Sequence, residues 1–130
     1  MTGELVLDTS AVIAVLRRVS GVRERLVGAS GLWLPLPALG ELEYGVANSA
    51  QPSRQRAALD AFLPAVTLLP LTAETAAHYG RLKAALARSG TPIPENDLWI
   101  AALAVEHGWS LATRDAHFAR VPGLAVQDWR

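Results

Sequence analysis

The 130 residues contain no cysteine, a single lysine (Lys83) and no surplus of charge, since 12 basic residues balance 12 acidic ones. Without cysteine there is no disulfide, no thiolate metal site and no cysteine nucleophile, which fits a reducing compartment. Balanced charge leaves no global field to draw in a polyanion, so a nucleic acid would need a local patch or a metal ion. Long apolar runs are missing too: none approaches the roughly 20 residues of a membrane helix. The opening "MTGELVLDTS" lacks a basic segment followed by an apolar one, and its apolar run stops at Asp8. A secretory leader is therefore not expected. No repeat, low-complexity tract or linker divides the chain. These absences describe a cytoplasmic protein with no membrane partner, organised as one domain over residues 1–130.

What is present is a core. Hydrophobic residues make up 51% and charged residues 18% of the chain. A chain of this length buries about 65–70% of its unfolded surface. Leu5–Leu7 reads as a strand, and Asp8, Thr9 or Ser10 as the cap of a helix carrying Val12, Ile13, Val15 and Leu16. A short helix is expected from Gly21 to Ala29 and a strand near Leu32–Leu34. A helix opened by Pro37 should follow to about Ala47. Further helices are expected from Pro52 to before Pro64, from Thr72 to Gly90, and over "PENDLWIAALAVEHG". Strands are expected at "VTLLPL", "SLAT" and "LAVQDW", with "RDAHFARV" a loop or short helix. Strands alternating with helices mean an α/β fold with a mostly parallel sheet.

From Leu98 to Val105 no residue is charged. A helix apolar on all sides is a buried one, yet this helix is entered through Glu95, Asn96 and Asp97. Three other acids stand at comparable places: Asp8 after the first strand, Glu41 on the helix after the second, and Asp115 two residues beyond "SLAT". Ligands of open parallel sheets bind beyond the carboxyl ends of the strands. Each acid alone also has a plain structural reading: Asp8 and Asn96 or Asp97 as helix caps, Asp115 as a turn, Glu41 on a solvated face. Gathered together they would repel, and a hard divalent cation removes that penalty. Oxygen-only ligands suit magnesium or manganese.

The motifs that hold these acids resemble those of the PIN-domain ribonucleases, in particular the VapC-type toxins of bacterial toxin–antitoxin pairs. "LVLDTSAVIAVL" resembles the family's opening segment and "ELEYG" its Glu-Leu-x-Tyr-Gly. "IPENDLWIAALAVEHGWSLATRD" is similar to its third and fourth acidic segments, and "FARVPGLAVQDW" to its close. The resemblance implies a PIN-like three-layer α/β sandwich with a mostly parallel central sheet flanked by helices. It implies Asp8, Glu41, Asp97 and Asp115 as the catalytic acids holding Mg²⁺ or Mn²⁺. Glu41 and Glu43 stand about 200° apart on a helix, so they cannot both line one site; the family pattern selects Glu41. Thr9, Ser10 and Thr113 resemble hydroxyl positions that support the acids. The chain departs from the family at His117, where many members carry an acid. That residue is either a phosphate contact or a surface histidine.

The expected activity is metal-dependent endoribonuclease cleavage of RNA by an activated water. A VapB-type antitoxin and a homodimer are the expected partners, with Val12–Arg18, Gly21–Val27 and the helix near Gly45 at the dimer contact. Arg114, beside Asp115, is the favoured phosphate-binding arginine among Arg17, Arg18, Arg54, Arg56 and Arg114. His107 and His78 read as structural, and Trp33, Trp99, Trp109 and Trp129 as core. Two other readings differ in class. A phosphoacceptor receiver domain wants paired acids after the first strand and a lysine near the last, whereas Lys83 lies mid-helix. A catalytically silent binding module on the same fold would keep the shape without the chemistry.

Overall fold

The structure is a computed structural model that describes residues 3–130. Its elements run β1 (Glu4–Leu7), α1 (Thr9–Leu16), α2 (Val22–Val27), β2 (Gly31–Pro35), α3 (Leu36–Ala47), α4 (Pro52–Phe62) and β3 (Thr67–Leu69). They continue with α5 (Ala73–Arg88), α6 (Glu95–His107), β4 (Ser110–Thr113) and β5 (Val126–Asp128). One 3₁₀ turn (Leu63–Ala65) follows α4 and another (Ala116–Arg120) follows β4. The five strands form one sheet in the order β3-β2-β1-β4-β5, and every pairing is parallel.

β1 is the central strand. Leu5, Val6 and Leu7 are buried, as an apolar run must be when both faces of a parallel sheet are covered. From β1 the chain builds outward through β2 to β3, then crosses to the other side for β4 and β5. Strand order therefore reverses between β1 and β4, and the crevice at their carboxyl ends is where such sheets accept ligands. Leu7 is in register with Ala112, which brings Asp8 beside Thr113.

Local signals explain the helices. α5 opens on a capping box between Thr72 and Thr75 and stops before Gly90, whose φ of 69° suits glycine. α6 is the buried helix: Leu98 and every residue from Ile100 to Ala104 belong to the core. It packs against α5, α3 and β4, and Gly108 closes it in the left-handed conformation. Pro94 is its N-cap, and no side chain caps it. Asn96 and Asp97 thus do not cap; Asp97 lies in the first turn, free for another task.

Candidate metal centre

Asp8 is the most enclosed of the four acids, with 3% of its surface exposed. It caps α1, accepting from the Ala11 N–H at 2.8 Å. Ser10 Oγ donates to the same carboxylate at 2.7 Å, and Thr113 Oγ1 donates from β4 at 2.5 Å. Both hydroxyls also accept from the backbone after β4. The Arg114 N–H reaches Ser10 at 2.9 Å and the Asp115 N–H reaches Thr113 at 2.9 Å. The two strand ends are thereby stitched into one unit around a carboxylate. Burial pushes the Asp8 pKa up, against the hydrogen bonds from Thr113, Ala11 and Ser10; the charge of Asp115 pushes it further.

Asp97 and Asp115 meet on one imidazole. His117 Nε2 lies 2.7 Å from Asp97 Oδ2, and Nδ1 lies 2.7 Å from Asp115 Oδ1. Asp115 also accepts from the His117 N–H and so starts the 3₁₀ turn. One ligand atom from each of these three residues lies within 4.8 Å of the others. Burial raises the Asp97 pKa, His117 opposes the rise, and the charges of Glu41 and Asp8 add to it. Asp97 is thus close enough to both acids to be repelled by them.

Glu41 joins through α1, accepting from Thr9 Oγ1 at 2.7 Å. It lines a shallow depression of about 500 Å³ with Thr9, Pro37, Gly40, Tyr44 and Asn96. Glu43 turns the other way and pairs with Arg56 of α4, which also holds Asp60 at 3.0 Å. The helical angle expected between Glu41 and Glu43 is therefore expressed as two different partners.

Other residues singled out in the sequence fall elsewhere. The Arg114 guanidinium bonds the Trp129 carbonyl at 2.9 Å, so its side chain serves the C-terminal segment while its N–H serves Ser10. Trp129 is core, Trp33 stacks on Trp109, and Trp99 stacks on Tyr79. His107 stacks on Trp109, and His78 meets Arg81. Lys83 is held by Glu95 and Tyr79, not by the acids a receiver domain would need it to serve. Sequence reasoning missed the place of His117, a surface histidine or phosphate contact on that reading. The available signal was the Asp-x-His spacing directly after a central strand.

The PIN domain family model matches residues 5–124. The chain is 32% identical over 129 residues to the tRNA(fMet)-specific endonuclease VapC of Salmonella typhimurium, covering 97% of this chain and 98% of that one. It is 36% identical over 126 residues to Ribonuclease VapC2 of Haemophilus influenzae, covering 95% and 96%. The crystal structure of DNA-bound VapBC from Salmonella typhimurium superimposes with a TM-score of 0.91 at 32% identity, over all of both chains. With the parallel sheet and the acids at its central strand ends, these likenesses place the chain in the PIN-domain family, as a VapC-type ribonuclease.

Proposed function

We propose that the chain hydrolyses RNA phosphodiester bonds with Mg²⁺ or Mn²⁺ held by Asp8, Glu41, Asp97 and Asp115, as the toxin of a type II toxin–antitoxin pair. The observation that carries this reading is the meeting of Asp97 and Asp115 on His117, beside an Asp8 that Thr113 ties to the same strand end. The donor set fits the ion. Four carboxylates are hard oxygen donors, and two of them, Asp8 and Asp97, have pKa values raised by burial and by the charge of neighbouring acids, Asp115 for Asp8 and Glu41 and Asp8 for Asp97. A divalent cation relieves that repulsion.

The chain's own groups have separable tasks. Ser10, Thr113 and the Ala11 N–H fix the Asp8 carboxylate in one orientation. Thr9 orients Glu41, and His117 holds Asp97 and Asp115 at a common spacing. When bound, the cation supplies Lewis-acid stabilisation of phosphate charge and lowers the pKa of water. No protein nucleophile is required. Cleavage by water leaves no 2′,3′-cyclic phosphate, because the ribose 2′-hydroxyl takes no part. Mapping the ends of products made with Mg²⁺ tests this. Linear phosphate ends lost on chelation support the reading; cyclic ends, or no cleavage by the folded wild type, contradict it.

The partner follows from the relatives, which include chains solved as VapBC complexes. A VapB-type antitoxin covering the acids is the expected neutralising partner, in the cytoplasm. No helix of the described residues is long and apolar enough to cross a membrane. The homodimer belongs to the same reading, with its surface narrowed. Val12 is buried within the protomer, and Arg17, Arg18 and Gly45 line an open groove, whereas Val27 on α2 is 80% exposed. Val27 on α2 and Tyr44, next to Gly45 on α3, are the exposed apolar side chains these segments offer a second copy.

A further inference from the structure

A groove of about 890 Å³ lies between α1, α3 and α4, with Glu41 on its wall. It carries charge that the acids do not neutralise. Arg17 and Arg18 at the end of α1 and Arg54 at the start of α4 line it. Among the described residues Arg17 and Arg18 have no side-chain hydrogen bond or ion pair, and Arg54 has only a 3.5 Å contact with the Gln51 amide. Arg56, one half-turn further along α4, is by contrast held by Glu43 and Asp60. In a chain of zero net charge, three unpaired guanidiniums around one groove are a local excess.

Two of the three stand where a cation or a side chain is disfavoured. Arg18 has φ 57°, the one positive φ outside glycine among the described residues. It occupies the left-handed position of a Schellman stop, with Val19 N–H on Ala14 O and Arg18 N–H on Val15 O; glycine is the usual residue there. Arg54 sits in the first turn of α4, which has no acid in that turn and no side-chain cap. The helix dipole repels a cation at that end. The backbone and the dipole give no reason for these arginines, and a polyanion does.

We propose that this groove is the track on which single-stranded RNA lays the phosphates flanking the scissile bond, with Arg17, Arg18 and Arg54 bonding its backbone. The inference rests on the RNA-hydrolase reading above and adds the path of the substrate. Glu41 is the point where track and acid cluster meet, since it belongs to the groove wall and to the depression beside Thr9. No aromatic side chain lines the groove. Binding there is consequently driven by phosphates rather than by base stacking, and it must be steeply salt-dependent and tolerant of sequence. An acidic peptide is the competing occupant, and the test separates the two.

The experiment measures binding of a labelled single-stranded RNA by anisotropy across a salt series, with Ca²⁺ replacing Mg²⁺ to suppress cleavage. Each phosphate contact to a single strand adds roughly −0.7 to the slope of log K against log salt. The variant Arg17→Gln/Arg18→Gln/Arg54→Gln should have a slope shallower by roughly two, with a wild-type circular dichroism spectrum. Arg17→Gln and Arg54→Gln alone should each lose about one contact, which keeps the test open if the triple variant misfolds. The control Arg23→Gln/Arg88→Gln, outside the groove, should keep the wild-type slope. A wild-type slope in the triple variant overturns the track. So does a triple variant that keeps its RNA slope but no longer binds an acidic peptide that the wild type holds. A wild type that neither binds nor cleaves RNA removes the hydrolase reading beneath it, a result distinct from either.

Discussion

Thr113, at the end of β4, donates its hydroxyl to Asp8 at 2.5 Å and accepts the Asp115 N–H at 2.9 Å on the same oxygen. One buried hydroxyl thus positions two acids that are far apart in sequence. Thr113→Val keeps the shape and removes both bonds. It should cost about 1–3 kcal/mol, the range for stranding buried polar partners, and should also reduce cleavage. Denaturant midpoints and cleavage rates check this; unchanged values for both would show that the hydroxyl is incidental.

His117 lowers the Asp97 pKa that burial raises. In His117→Ala the Asp97 carboxyl should therefore titrate higher than in the wild type. If cleavage needs Asp97 ionised, the acidic limb of its pH profile moves to higher pH. Carboxyl titration by NMR, alongside the profile, tests both steps. A limb that stays in place while Asp97 shifts would separate the carboxylate from the chemistry.

Stability should depend on pH in a direction set by Asp8 and Asp97. Both have folded pKa values above the ordinary 3.8. Their stabilising share is present below that value and is lost as pH rises through the higher folded values. A cation that binds the ionised cluster offsets the loss, by about 2.7 kcal/mol at a hundredfold excess over its dissociation constant. The rise in melting temperature caused by Mg²⁺ should therefore be small near pH 4 and grow toward neutrality. An effect equal at both ends, or larger in acid, would contradict the assignment of these acids to the ion.

Glu41 and Glu43 provide a paired comparison. Glu41→Gln should abolish most cleavage with little change in melting temperature. Glu43→Gln should keep cleavage and lose only an exposed contact with Arg56. Matched assays on the two variants decide it, and the reverse pattern would move the site to the α4 side of α3.

The α/β alternation was legible because its signals are local: apolar strands at Leu5–Leu7 and "SLAT", the Thr72 cap, and Gly90 and Gly108 as stops. The strand order came from no local signal, yet it places Asp8 next to Thr113 at the switch point. "PENDL" offered Asn96 or Asp97 as the cap, and the extended Pro94 backbone took that place instead. His117 was opaque for a related reason. Its partner Asp97 lies 20 residues away across the rest of α6, β4 and a turn, a distance that periodicity does not span. Separating Glu41 from Glu43 needed the family pattern, because the neutralising Arg56 sits on a different helix.

Asp97 offers the most direct measurement. Since Pro94 caps α6 and the Asp97 side chain does not, Asp97→Asn changes charge without removing a cap. Purified Asp97→Asn, free of antitoxin, should fold with near-normal stability and bind Mg²⁺ more weakly by calorimetry. Its cleavage of single-stranded RNA should fall by at least about 100-fold, since even outer partners of a metal site cost 10–100-fold when changed. Full cleavage by this variant in Mg²⁺ or Mn²⁺, with wild-type metal affinity, would contradict the metal centre.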